Sequence, residues 1–230
     1  MSTFREIGYM IYDELKLSSD DSYFNIDHVY FLMNKWRSFI LKQKYSDVKK
    51  EIPEQNFQVI CLDIDYNNDC ITGDEVKSIQ KLPDITNLGG TDLISDITPK
   101  NDFFKGIEFS MVSRDRMKYV GHNKWLQRVI YFSLGPDRHL YLKSGDIDYT
   151  YLQGVSLTSI FDNPEDAVAL SCDKEDLNEC DIYENEYPLE DGLIPLLIEC
   201  VVKELTPAVY KPEDEDNNAT DDLSNLTSGR

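Results

Sequence analysis

Basic charge is scarce in this chain: 23 lysines and arginines stand against 43 aspartates and glutamates, for a net charge of −20. Proteins that grip nucleic acid neutralise phosphates with Lys and Arg, so this balance argues against nucleic-acid binding as the main task. It permits a surface that DNA slides past without sticking, and it also suits plain solubility. Long hydrophobic runs are missing as well. The best candidate, Leu193–Val202, is interrupted by Pro195 and Glu199 and falls short of the roughly 18 apolar residues of a membrane span. No basic segment followed by an apolar run opens the chain, so a signal peptide is not expected. The five cysteines (Cys61, Cys70, Cys172, Cys180, Cys200) are odd in number and form no CxxC pair. The expectation is buried free thiols in a reducing interior. The Asn-x-Thr triplets at Asn218 and Asn225 then carry no weight as glycosylation sites. The three histidines, His28, His122 and His139, lack HExxH or Cys/His ligand spacing, which excludes the common zinc signatures.

What is present is enough apolar and aromatic material, 41% and 11% of 230 residues, for a real core. The first fifty residues read as two helices. Thr3-x-x-Glu6 is a capping box, and Phe4, Ile7, Ile11 and Leu15 follow at helical spacing. After a break at "LSSDD", Asn25 or Asp27 caps a second helix with an apolar stripe of Val29, Leu32, Met33, Trp36 and Ile40. Trp36 is read as core. Lys42, Lys44, Lys49 and Lys50 gather at the end of that helix, where cations compensate the dipole; they are also a candidate docking point for an acidic partner.

From about residue 56 to 161 the period changes to two. "FQVICLDI", "GIEFSMV", "LQRVIYFSL", "RHLYLKS" and "IDYTYLQGVSL" are β-branched and aromatic runs, separated by turn signals such as "LGPDR" and "KSGD". They predict a meander of antiparallel strands, a small barrel or sandwich, with Tyr141, Tyr149 and Tyr151 as cross-strand packing. "DNPEDAVAL" starts a short helix, and a stronger one covers Ile194–Leu205, with Leu197, Cys200, Val201 and Leu205 on one side. The fold class is therefore α+β, a helical bundle with a β-rich insertion. Its expected divisions are residues 1–50 (helical hairpin), 51–162 (β insertion), 163–205 (closing helical segment) and 206–230. The last is an acidic arm almost without core-forming residues. Charge rises steeply along the chain, from +1 over residues 1–50 and −5 over 51–160 to −16 over 161–230.

One acidic stretch invites a metal. In "LDIDYNNDCITGDE", Asp63, Asp65, Asn67, Asp69 and Asp74 fall near EF-hand ligand positions, but Asn68 stands where the loop wants glycine, and the entering segment reads as a strand. The competing account takes Thr72-x-x-Glu75 as a capping box opening a helix with Val76 and Ile79, the acids serving a strand-to-helix turn. The turn is preferred; a calcium-dependent binding module on Asp63–Asp74 is the alternative. "GVSLT" lacks the closing glycine of a nucleophile elbow, and "NLGGTD" matches neither a P-loop nor a dinucleotide fingerprint. No catalytic set and no cofactor is expected.

Three long stretches together, "LKLSSDDSYFNIDHVYFLMNKWRSFILKQKY", "RMKYVGHNKWLQRVIYFSLGPDRHLYLKS" and "YPLEDGLIPLLIECVVKELTPAVYKPEDEDNNATDDLS", resemble a ring (head-to-tail adaptor) protein of crAss-like bacteriophages. The resemblance spans nearly the whole chain. It implies a non-enzymatic virion protein at the portal vertex, assembled in the host cytoplasm. Its partners would be itself in a twelve-fold ring, the portal, and a further ring or tail component, with DNA passing through and no membrane contact.

Overall fold

The computed structural model describes residues 2–18, 24–47, 50–67, 75–88, 91–126, 128–172 and 179–206. Helix α1 (Phe4–Ser18) starts at the expected capping box: the Thr3 amide donates to Glu6 Oε2 at 2.9 Å, and the Glu6 amide to Thr3 Oγ1 at 3.2 Å. Phe4, Ile7, Ile11 and Leu15 are fully buried along its inner face. Helix α2 (Ile26–Lys44) is capped by Asn25, whose side chain accepts from the Asp27 amide. The two helices approach closely at Gly8, where a Cβ would lie 2.7 Å from the Tyr30 ring. After the short α3 (Pro164–Val168), helix α4 (Ile194–Leu205) tolerates Pro195 in its first turn, where an amide hydrogen has no partner to lose. Helices α1, α2 and α4 pack on one another over a shared apolar core. None of the described helices is long and apolar enough to cross a membrane.

Seven strands form a nearly closed, barrel-like sheet in the order β5-β9-β1-β2-β8-β7-β6. They are β1 (Gln58–Asn67), β2 (Glu75–Ser78), β5 (Ile94–Pro99), β6 (Glu108–Met111), β7 (Val129–Leu134), β8 (Leu140–Lys143) and β9 (Gly154–Ser159). A separate two-stranded ribbon pairs β3 (Asn87–Leu88) with β4 (Thr91–Asp92). Strand β1 is shared lengthwise: Gln58–Asp63 pairs with β9, and Ile64–Asn67 with β2. Inward-pointing Ile60, Leu62 and Ile64 enter a second core with Val76, Ile130, Phe132, Leu140, Leu142, Val155 and Leu157. The "LGPDR" turn joins β7 to β8, with Arg138 in the left-handed region (φ 61°).

Several expectations are corrected. The meander is not purely antiparallel, because β6 pairs with β7 in parallel. Parallel neighbours cannot be joined by a tight hairpin, and residues 112–128 form the crossover. Glu75–Ser78 does not open a helix. It is strand β2, since Val76 gains more from pairing between Tyr66 and Leu142 than from continuing a capped turn. Ile147–Tyr151 is a 3-10 turn, not a strand, because Asp146 caps it by accepting from the Asp148 amide. Within it Tyr149 is buried, but Tyr151 is 70% exposed and packs across no strand. The expectation of free thiols fails for Cys61 and Cys172, which form a disulfide because α3 packs on β1 and returns the chain beside it. Cys200 remains free; Cys70 and the Cys180 side chain lie outside the described residues. Trp36 is only half-buried, and its indole N–H donates to Glu204 Oε2 at 2.5 Å.

The buried residue of that turn of α2 is Arg37, fully enclosed between the two cores. Its Nε donates to Pro188 O (2.8 Å), one terminal nitrogen to Phe161 O (2.7 Å) and the other to Asn56 O (3.3 Å). Burial pulls its pKa down to about 10, partly opposed by Tyr187 and Asp162, so the group stays charged at neutral pH. One side chain on α2 thus ties the entry to β1, the exit of β9 and the approach to α4.

Candidate docking surfaces

The C-terminal half of α2 carries the lysines singled out for docking. Lys42 Nζ lies 3.2 Å from Asp162 Oδ1, a carboxylate that also accepts from Thr86 Oγ1 at 2.9 Å. Lys44 Nζ lies 2.7 Å from Glu190 Oε1, which also accepts from Tyr45 Oη at 2.6 Å. Burial pushes the Glu190 carboxyl up, but the bonds from Lys44 and Tyr45 outweigh it and hold the group below the usual carboxylate range. Lys50 Nζ donates to the Lys44 carbonyl at 3.0 Å, satisfying an orphan acceptor at the helix end. Lys49 lies outside the described residues. Three of the four lysines therefore have partners within the molecule, and Lys50 meets a helix-end carbonyl.

Alongside α2 runs a cavity of about 570 Å³, lined by Tyr30, Phe31, Asn34, Ser38, Glu165 and Tyr183 among others. Tyr30 and Tyr183 stack at 4.4 Å between ring centroids. Asn34 Nδ2 donates to Glu165 Oε1 at 2.9 Å and to Asn163 Oδ1 at 3.3 Å. Burial raises the Glu165 pKa against the opposing bond from Asn34. Neither a histidine nor a cysteine is among the lining residues, and Lys35 and Lys42 at its rim are paired to Glu204 and Asp162. Ser38 Oγ donates to the Asp162 carbonyl at 3.1 Å, and the groove combines aromatic walls with carboxylates.

The acidic stretch is placed only in part. On β1, Asp63 and Asp65 point outward, opposite Leu62 and Ile64. The Asp63 carboxylate is engaged by Gln80 Nε2 at 2.7 Å and Lys100 Nζ at 3.5 Å. Asp69, Asp74 and the Asn67 side chain lie outside the described residues. The elements on both sides are strands, so the helix–loop–helix frame of an EF-hand is absent. Glu75 is nearly buried and paired to Arg114 Nη1 at 2.8 Å. Among the described residues, no group of acids, histidines or cysteines is arranged to hold a metal. The histidines stay apart: His28 stacks on Phe31, His139 Nδ1 sits 2.8 Å from Ser78 O, and His122 Nε2 lies 3.3 Å from Lys118 O.

A basic surface escaped the sequence reading. The β6–β7 crossover, 112–128, holds Arg114, Arg116, Lys118, Lys124 and Arg128 against Asp115 alone. Local charge density, counted in a window instead of over long thirds of the chain, would have revealed it. Met117 anchors the crossover at 1% exposure. Arg114 stacks 3.8 Å over the Tyr141 ring while it pairs with Glu75. Gly121 (φ +86°) fits against the Ser144 backbone, where a Cβ would meet atoms at 3.2 Å. Outward from this base, Tyr119 is 72% and Trp125 83% exposed.

Residues 6–223 match the family model for phage tail ring protein 2. The chain is also 46% identical over 223 residues to "Ring protein 2" of Bacteroides phage crAss001, covering 96% of this chain and 98% of that protein.

Proposed function

This chain belongs to the phage tail ring protein 2 family, and from that premise we propose that its copies close an oligomeric ring at the portal vertex, linking portal to tail and lining the DNA channel. It is a structural protein of the virion. The ring is twelve-fold, to match the portal on which it docks, and closes through a heterologous interface in which different faces of each copy meet. It is assembled in the host cytoplasm and works by shape and self-association, not by making or breaking bonds. The helical parts, residues 1–50 and 163–205, pack between copies, the β-rich 51–162 forms the body, and 206–230 reaches onto a neighbour.

The observation that carries the reading is a net charge of −20 on a chain of this family. A wall of like sign to the phosphates keeps DNA from adhering, which a conduit requires and a DNA-binding protein does not. Negative-stain electron microscopy of the purified full-length chain, alone and with the portal protein, tests it. Closed rings in either sample are expected. A chain that stays monomeric in both, at concentrations well above micromolar, would overturn the proposal.

A further inference from the structure

We propose that the β6–β7 crossover, residues 112–128, is the seat for the acidic arm, residues 207–230, of a neighbouring copy of this chain; this deepens the ring reading and rests on it. The crossover concentrates cations in a protein otherwise dominated by acids, and three of its exposed cations are uncommitted. Arg116, Lys118 and Arg128 are exposed, and among the described residues none of them forms an ion pair. Lys118 lies 4.9 Å from the centroid of the Tyr119 ring, so cation and aromatic surface are presented together. The base beneath them is fixed by Met117, by the Arg114–Glu75 pair and by the Gly121 contact, so the seat is preorganised and little ordering is required of it on docking.

The complementary element is in the same polypeptide. Glu213, Asp214, Glu215 and Asp216 run consecutively, Asp221 and Asp222 follow, and only Lys211 and Arg230 oppose them. Leu223 and Leu226, just past the acids, suit the exposed faces of Tyr119 and Trp125. Residues 207–230 reach at most about 80 Å when extended, enough to cross from one copy to the next. The arm leaves from α4, which packs in the helical layer on α1 and α2, whereas the crossover hangs from β6, the edge strand furthest in sheet order from β5 and β9. An arm that starts in the helical layer and a seat carried on the sheet are different surfaces of the chain, so docking one on the other between copies is a heterologous contact, the kind that closes rings. Nucleic acid would also be drawn to cations beside aromatics. It is disfavoured because the rest of the surface repels phosphate.

The test mixes full-length isotope-labelled and unlabelled protein, forms rings alone or on the portal, and applies a zero-length carbodiimide cross-linker. Mass spectrometry should find Lys118 or Lys124 joined to Glu213–Asp216 in mixed-isotope pairs. The double variant Arg116→Glu, Arg128→Glu, which keeps both reacting lysines, should lower the yield of these pairs at least roughly tenfold while keeping the parent melting temperature. Reversing the arm as well (Glu213→Lys, Asp214→Lys, Glu215→Lys, Asp216→Lys) should restore ring assembly. Rings without these links, links only within one chain, or a crossover that binds an oligonucleotide and leaves the arm unlinked would each overturn the docking proposal while the ring reading stands. A chain that never forms rings removes both.

Discussion

Arg37 gives the sharpest test of how this fold is held together. Its guanidinium makes three bonds to main-chain carbonyls in a fully buried place, two at 2.7–2.8 Å and a weaker one at 3.3 Å. Bonds from a charged donor contribute about 1.5–3 kcal/mol each, so their loss amounts to roughly 5–6 kcal/mol. Against this stands the strain of keeping a charge out of water. Burial pulls its pKa well below the ordinary guanidinium range, to about 10, which corresponds to about 3 kcal/mol at 1.36 kcal/mol per unit. Arg37→Met loses the bonds but also sheds the buried charge, for a net destabilisation of about 2–3 kcal/mol. Arg37→Lys keeps a buried charge yet reaches fewer carbonyls, so it should be worse, about 4 kcal/mol. Urea unfolding followed by fluorescence of the two tryptophans and by far-ultraviolet circular dichroism measures both. The two probes should also separate in Arg37→Met, because Arg37 bridges the helical and sheet cores. A methionine variant within 0.5 kcal/mol of the parent, or a lysine variant more stable than the methionine one, would refute the assignment of Arg37 as a clamp.

The other expectations are simpler. Glu190→Gln should lower monomer stability by about 1 kcal/mol, since it weakens two part-buried bonds to Lys44 and Tyr45; unchanged melting would free Lys44 for an external partner. Thiol alkylation of the unreduced protein should leave Cys61 and Cys172 unmodified and label Cys200, and labelling of all three would contradict the disulfide. Burial raises the Asp137 carboxyl, but bonds from Lys77 and Tyr141 prevail and bring its pKa to about 2. Because the folded value is depressed, its contribution is present above pH ~4 and lost as pH falls toward 2; carbon-detected NMR titration of Asp137 that finds a midpoint near 4 would contradict this. Calorimetric titration of Ca²⁺ should show no micromolar binding, and binding abolished by Asp63→Ala and Asp65→Ala would revive the calcium module.

The helices were legible because each is written locally. The Thr3–Glu6 box, the Asn25 cap and the burial of Phe4, Ile7, Ile11 and Leu15 all follow from spacing within a few residues. Strands β1, β7 and β8 were legible for the same reason. What failed was written at a distance. Glu75 looks like a helix cap until Arg114, far along the chain, arrives to pair with it. Cys61 and Cys172 are 111 residues apart, and no spacing rule foretells that β1 and the end of α3 meet. Trp36 and Arg37 are neighbours on one helix, and hydrophobicity favoured burying the tryptophan. The reverse holds because three carbonyls converge where only a forked donor can serve them. The lysine cluster was visible, but its partners Asp162 and Glu190 were not, so a solvated face and a docking face could not be told apart.

Side-by-side packing of chains that each carry −20 raises a physical difficulty whose resolution bears on where contacts can form. At physiological salt the screening length is about 8 Å, so the whole-body charges of adjacent copies hardly feel one another, and only the faces within that distance decide the outcome. A face built from the acidic third of the chain would repel its like at any register. A face that sets 112–128 against acids would attract, because Arg116, Lys118 and Arg128 form no ion pair among the described residues. The paired lysines of α2 lack this property, since breaking Lys44 from Glu190 to satisfy a neighbour exchanges one ion pair for another. Assembly should therefore respond to salt in two opposed ways. At low ionic strength repulsion between acidic bodies reaches further and hinders ring closure, while at high ionic strength the crossover contact weakens. Ring yield measured across salt should pass through a maximum, and a monotonic rise with salt would mean that apolar contacts alone close the ring.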